Sequence, residues 1–279
     1  MYIFLSDFFL EQGVIGGGEL NDYELLKILS NKGYKVKKKN TSEVDLRFLK
    51  ENIGNNFIIS NFIFLKEECK KFIQSGLNYA IYEHDHKYLI NRDPSKCEDY
   101  ICKKQELINI GFYQNAKAIL CQSLLHAEII NKNLKKINAI SLSGNLWSEE
   151  DLKLMRKLSE NKKSNFYSII NSINPIKNTN ICIKYCRHKQ IPFKLISKMP
   201  RQQFLTELSK NEGLVFFPGV VETLNRVCVE AKAMNCKVVT NKKVGATSEE
   251  WFSLKGEPLL EEMYKMRESI PKLIIEVFE

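Results

Sequence analysis

Two consecutive α/β halves, each a parallel sheet covered by helices on both faces, follow from three features of the 279-residue sequence. Short apolar runs recur along it, amphipathic stretches at helical spacing separate them, and the alternation pauses once, near residues 144–148. A short apolar run bounded by turn residues suits a strand buried on both faces, and strands alternating with helices argue for a parallel sheet. At 44% hydrophobic residues the chain has enough apolar material for two modest cores. The expected division is 1–148 and 149–279, with the final helix packing back toward the first domain and the ligand site in the cleft between the two.

In the first half, residues 2–5 read as a strand and 13–18, with three successive glycines, as a loop. Residues 19–31 read as a helix carrying Leu20, Tyr23, Leu26 and Leu29 at helical spacing, and 34–38 as the next strand. Strands follow at 57–60, 79–82 and 116–121, with helices near 66–75 and 123–133. The run Ser148-Glu149-Glu150-Asp151 then has the composition of a helix start. A second series comprises strands at 167–170, 193–196, 214–217 and 237–240 and helices near 175–189, 201–210 and 222–235. The tail from Pro258 is amphipathic and expected to be helical.

The charge balance, 42 basic against 33 acidic residues, leaves a net +9. The surplus is spread along the chain, which suits a polyanionic partner without defining one. No apolar run reaches the length of a membrane span, and the first residues lack the basic start and cleavage site of a signal peptide, so a soluble, cytoplasmic protein is expected (host-cell cytoplasm if phage-encoded). The eight cysteines show neither zinc-knuckle nor redox spacing and are expected to be reduced thiols. Cys182, Cys186 and His188 lie close in sequence, but the surrounding helix-like pattern marks the two cysteines as small core residues rather than metal ligands.

The most informative stretch is the one that follows the apolar run 214–217. There a Pro218-Gly219 turn leads to Glu222 and, eight positions on, to Glu230. A helix beginning at Glu222 would put Glu222, Arg226 and Glu230 on one side and Leu224, Val227, Cys228, Ala231 and Met234 on the other. The acids would then stand roughly 12 Å apart along the axis. The amides of Thr223, Leu224 and Asn225 would open toward an anion. The competing explanation is a solvated ladder of ion pairs through Arg226.

These residues resemble the GT-B glycosyltransferases, and within them the retaining family 4 group. The features that carry the resemblance are two Rossmann-like domains, Gly16-Gly17-Gly18-Glu19 in the first loop and Tyr82-Glu83-His84-Asp85-His86 after a mid-domain strand. To these add the segment 116–123, the acid pair in its strand-turn-helix setting, and Gly245 after the last strand. The resemblance implies a metal-independent enzyme with no tightly bound cofactor and a nucleoside-diphosphate-sugar as co-substrate. It implies that Glu222 receives donor-sugar hydroxyls and Glu230 the ribose hydroxyls, work that suits an acceptor-only carboxylate. Thr223, Leu224 and Asn225 would face the diphosphate or the sugar. Lys177 stands where the family places a phosphate-binding Lys. Ser172 stands where it has an Arg, so Arg201 or Lys198 would have to substitute. Gly16, Gly17 and Gly18 would admit the donor phosphates or the acceptor, since no Cβ intervenes. One of His84, Asp85 and His86 would orient or deprotonate the acceptor hydroxyl, with Lys87, Tyr88 and Arg92 as an acceptor wall.

The function expected on these grounds is retaining transfer of a sugar, from a uridine-type donor, to a hydroxyl. A hydroxymethylated pyrimidine base in phage-like DNA is slightly favoured as acceptor, and a cell-surface glycan or lipid-linked acceptor is the alternative. Two other classes rank lower. An NADP-dependent oxidoreductase would use the glycines and Lys37, Lys38 and Lys39, but the third fingerprint glycine is replaced by Asn21. A non-catalytic nucleic-acid-binding protein lacks any recognisable reading element.

Overall fold

The computed structural model describes residues 1–13 and 16–279; Val14 and Ile15, within the expected glycine-rich loop, lie outside that set. The chain forms two compact units, one of Met1–Leu146 with Met266–Glu279 and the other of Trp147–Lys265.

The first unit is built on six parallel strands, β1 (Tyr2–Ser6), β2 (Val36–Asn40), β3 (Asn56–Ile59), β4 (Asn78–Tyr82), β5 (Ile119–Cys121) and β6 (Ala139–Ser141). Their order is β2-β1-β3-β4-β5-β6. The apolar runs are buried on both faces, as a sheet covered on both sides requires: Ile3, Phe4 and Leu5 of β1 and Phe57, Ile58 and Ile59 of β3 are shut away from solvent. Helices α1 (Gly17–Asn31), α2 (Leu46–Glu51), α3 (Glu67–Gln74), α4 (Ile110–Gln114) and α5 (Leu124–Asn133) connect them. Two of these helices start on side-chain caps. Asp45 accepts from the Phe48 amide and Ser123 from the His126 amide.

The second unit has four parallel strands, β7 (Ser164–Ile170), β8 (Phe193–Ile196), β9 (Asn211–Phe216) and β10 (Lys237–Thr240), in the order β10-β9-β7-β8. Helices α6 (Glu149–Ser159), α7 (Thr179–His188), α8 (Arg201–Ser209) and α9 (Arg226–Ala233) belong to it, and α10 (Glu257–Glu276) begins in it. Helix α6 has the start its sequence announced. Ser148 accepts from the Asp151 amide at 3.0 Å, and three acids occupy the first turn with Arg156 and Lys157 in the last, complementing the helix dipole. Cys182 and Cys186 pack with Ile169 and Val215 in the core of this unit.

Three expectations are corrected. Gly17 and Gly18 are the first turn of α1 rather than loop, because the Gly16 backbone is extended and the helix begins directly after it. Glu222 is not helical, and α9 starts only at Arg226. Cys97 and Cys102 are joined as a disulfide in the connection between β4 and α4, against the expectation of thiols throughout. The other six cysteines are free and buried.

Gly213 shows how tightly the second sheet is packed. A Cβ there would lie 2.4 Å from Tyr167 Cε1 and 2.8 Å from the Lys237 carbonyl oxygen, and β9 is clamped between the strands that carry both. Gly213→Ala is therefore expected to cost about 1–3 kcal/mol through overpacking. A lowered urea midpoint with an unchanged circular dichroism spectrum would show it; an unchanged midpoint would contradict it.

Candidate functional site

In the second unit the chain passes from β7 to β8 on one side, while β9 lies against the other side of β7. The strand order reverses there, and in an open parallel sheet the crevice beyond the carboxyl ends at such a reversal is where ligands bind. The segments leaving β7 and β9 contain Ser172 and Lys177, and Gly219 and Glu222, respectively. They are tied together twice. The Gly219 amide donates to the Ile176 carbonyl at 2.9 Å, and Lys177 Nζ donates to Glu222 Oε1 at 2.8 Å. Both side chains of this pair are partly accessible, 35% for Lys177 and 18% for Glu222.

Glu222 is held extended by the segment after β10. Its amide donates to the Lys243 carbonyl, and the Gly245 amide donates to its own carbonyl, both at 2.8 Å. Lys243 Nζ in turn donates to the Gly219 carbonyl at 3.0 Å. The helix then starts late because Asn225, in the left-handed region at φ 75°, accepts from the Cys228 amide at 2.9 Å. Asn tolerates that conformation and is a strong N-cap. Thr223, Leu224 and Asn225 are therefore not the first turn of a helix. Leu224 is wholly buried and its carbonyl accepts from the Ala246 amide at 3.0 Å. Ser172 closes its own loop, its hydroxyl accepting from the Asn174 amide at 3.1 Å.

Glu230 occupies the second turn of α9 and is fully buried. Its Oε1 accepts from Arg201 Nη2 at 2.8 Å and from Trp147 Nε1 at 2.9 Å. Arg226 Nε stands 3.6 Å from the same oxygen, and the Arg226 guanidinium lies over the Trp147 ring at 4.6 Å. Arg201 continues to Asp151 Oδ2 at 2.7 Å. Burial alone would push the Glu230 carboxyl up, but the charges of Arg201 and Arg226 and the hydrogen bonds from Arg201 and Trp147 outweigh it and hold the group below its ordinary range. The solvated ladder is thus excluded, since Arg226 and Glu230 are both buried. Arg201, a candidate for the missing phosphate-binding Arg, is committed to two carboxylates.

In the first unit the carboxyl edge of the sheet holds the expected histidines in different states. His84 is paired through Nε2 with Asp22 Oδ1 at 2.6 Å, and Gln122 Nε2 contacts its Nδ1. If the Gln122 amide donates, the His84 proton sits on Nε2 and points at Asp22. Asp22 is itself fixed by Ser60 at 2.6 Å. Gly18 lies against this ring, where a Cβ would come within 3.3 Å of His84 Cδ2. Its lack of a side chain therefore makes room for His84.

His86 and Tyr88, the expected acceptor base and acceptor wall, lie in the core. His86 is 1% and Tyr88 0% exposed, with their rings edge to face. Asp85 is bound by Lys87 at 2.8 Å and Arg92 at 3.2 Å, and Lys87 is also bonded to the buried Glu83. Burial by itself lowers the Lys87 pKa, but Asp85 and Glu83 more than reverse this. Arg92, half exposed, lines a cavity of about 690 Å³ with Phe62, Ile63, Lys70, Ile90 and Ile108, beyond the ends of β3 and β4.

No protein-family model matches the chain, and no curated protein matches it in sequence. Solved structures do match over nearly the whole chain. The catalytic domain of starch synthase IV from Arabidopsis thaliana, bound to ADP and acarbose, aligns with a TM-score of 0.60 at 10% identity, over 99% of this chain and 98% of that one. HepE of Anabaena, in complex with UDP and glucose, aligns with a TM-score of 0.54 at 12% identity, over 100% and 95%. An alpha-glucosyltransferase in complex with UDP and a 13-mer DNA containing an HMU base aligns with a TM-score of 0.50 at 11% identity, over 98% and 94%. The fold is that of the GT-B glycosyltransferases.

The buried His86 generates a pH prediction. Burial pushes its imidazole down to about 4, whereas the unfolded chain takes up a proton near 6.5. Its contribution to stability is full above pH 6.5 and is lost as pH falls toward 4, because only the unfolded state then binds the proton. Between pH 6.5 and 4, His86→Gln is expected to flatten the fall in unfolding free energy by up to about 1.4 kcal/mol per pH unit. Identical slopes in urea titrations would contradict this.

Proposed function

We propose that the chain is a glycosyltransferase that moves a hexose from a nucleoside-diphosphate donor of the uridine type to a hydroxyl, with retention at the anomeric carbon. One observation carries this: Lys177 and Glu222 meet, partly accessible, at the strand-order reversal of the second unit of a GT-B fold. The two groups offer complementary chemistry. Lys177 supplies a cation for the departing diphosphate, and Glu222 supplies an acceptor for sugar hydroxyls. Their mutual bond neutralises both charges, and a donor that presents an anion to one and hydroxyls to the other can replace it. Lys243, tethered to the Gly219 carbonyl on the same loop, is a second cation that offsets Ser172 in place of an Arg. Charge stabilisation by these lysines requires no metal.

For the acceptor, a hydroxymethylated base in DNA is the first reading, supported by the net charge of +9 and by the fold neighbour bound to UDP and HMU-containing DNA. A lipid-linked or otherwise apolar acceptor is the second, supported by the isoleucine-lined cavity beside Arg92. His84, fixed by Asp22, and Arg92 are the acceptor-side residues whose placement best fits either reading.

Incubation with a panel of nucleotide sugars, followed by chromatography of released nucleoside diphosphate, tests the activity. UDP release from a UDP-sugar is expected. Glu222→Ala is expected to reduce it by about 10²–10³-fold, the scale of a lost transition-state contact, with the circular dichroism spectrum unchanged. Undiminished release by that variant would contradict the assignment. Transfer to hydroxymethylated DNA that falls steeply with salt would support the first acceptor, and salt-insensitive transfer to an amphiphilic saccharide the second.

A further inference from the structure

Residues 91–105 form an excursion between β4 and α4 whose two ends meet. Leu89 and Leu107 pair antiparallel, with the Ile90 amide donating to the Glu106 carbonyl at 3.0 Å and the Ile108 amide to the Tyr88 carbonyl at 2.8 Å. Its far side is tied to α5, where Asn133 Nδ2 donates to the Tyr100 carbonyl at 2.7 Å and Asn133 Oδ1 accepts from the Cys102 amide at 2.8 Å. The Cys97–Cys102 disulfide adds a third tie, within the excursion itself. Between these ties Arg92, Asp99 and Tyr100 are held at φ 54°, 47° and 64°. That left-handed region is unfavourable for residues with a Cβ and persists where the surrounding structure imposes it.

The cysteines divide by position. Six are free and buried, among them Cys69 and Cys121 in the core of the first unit and Cys182 and Cys186 in that of the second. The joined pair lies outside the sheets, and Cys97 is partly exposed, which a sulfur open to attack by a thiolate must be. A bond between cysteines five positions apart restrains little of the unfolded chain, so it adds less to global stability than one closing a long loop. Its effect falls on the excursion, and the excursion frames the cavity beside Arg92. Ile90 and Arg92 line that cavity from the start of the excursion, and Ile108 lines it from just past the end.

We propose that Cys97–Cys102 is a thiol-responsive staple of this cavity wall: oxidised, it holds residues 91–105 in place, and reduced, it loosens them and weakens ligand binding in the cavity. The reductant is a small thiol of the glutathione class. Its thiolate attacks Cys97 Sγ, the bond between the two protein sulfurs breaks, and Cys102 leaves as a thiolate that takes up a proton. A second glutathione thiolate then attacks the mixed disulfide, which releases Cys97 and forms oxidised glutathione, so two electrons pass to the protein. The Asn133 bonds and the Leu89–Leu107 bridge survive the reaction, so the change is confined to the excursion and the fold is kept. None of this involves the donor site in the second unit.

The test equilibrates the folded full chain with excess reduced or excess oxidised glutathione and reads Cys97 and Cys102 by alkylation and mass spectrometry. Both are expected to be alkylated after reduced glutathione and neither after oxidised, with the circular dichroism spectrum unchanged. Hydrogen exchange in residues 91–105 is expected to be at least about tenfold faster in the reduced chain. The dye 8-anilinonaphthalene-1-sulfonate, an apolar anion that suits a cavity lined by Arg92 and isoleucines, is expected to bind the reduced chain several-fold more weakly. The double variant Cys97→Ser, Cys102→Ser is expected to behave as the reduced chain in either buffer. A disulfide that resists reduction until the chain unfolds overturns the inference, and so do equal exchange rates and dye affinities in the two redox states. Cys97, Cys102 and Glu106 place their ligand atoms within 4.8 Å of one another. A reduced chain that takes up added zinc and exchanges as slowly as the oxidised one therefore overturns the inference in favour of a metal site.

Discussion

The ion pair between Lys177 and Glu222 depends on a topological fact, and the proposed chemistry depends on the ion pair. Because the strand order reverses beside β7, the segments leaving β7 and β9 emerge side by side, and residues far apart in sequence come within 2.8 Å. Two backbone hydrogen bonds from the segment after β10 then fix Glu222 in an extended conformation. The backbone that carries the carboxylate is thereby ordered in the absence of a ligand, which lowers the entropy cost of binding there.

The second acid is handled in the opposite way. Glu222 is partly accessible and paired with a single lysine, whereas Glu230 is enclosed and pinned by an arginine and an indole. Burying a carboxylate is costly unless charges and hydrogen bonds compensate, and Arg201 and Arg226 supply that compensation. The first unit repeats the contrast. Asp22 fixes His84 at the sheet edge, while His86, two residues on, is driven into the core and kept neutral by burial.

Much of the fold was legible because buried parallel strands announce themselves as apolar runs. The 2–5 and 214–217 segments needed no partner information to be assigned, and Ser148 with its three acids marked α6 by local chemistry. The start of α9 was misplaced because nothing local in the sequence shows that the Glu222 backbone pairs with Lys243 and Gly245, which holds it extended until the Asn225 cap. Lys177 and Glu222 were legible as residue types, and their contact was not. Trp147 escaped notice for the same reason, since an indole 83 positions from its carboxylate leaves no local signal. The burial of Tyr88 and His86 was not legible, because position after a strand does not say which way a side chain turns.

In the proposed function the donor binds at the reversal beside β7. Hydrogen–deuterium exchange of the full chain with and without UDP tests it most directly. Slowed exchange is expected in residues 171–178 and 217–230, the segments that carry Lys177, Glu222 and Glu230. Saturating UDP that leaves both segments unchanged, or that protects only segments of Met1–Leu146, would contradict it.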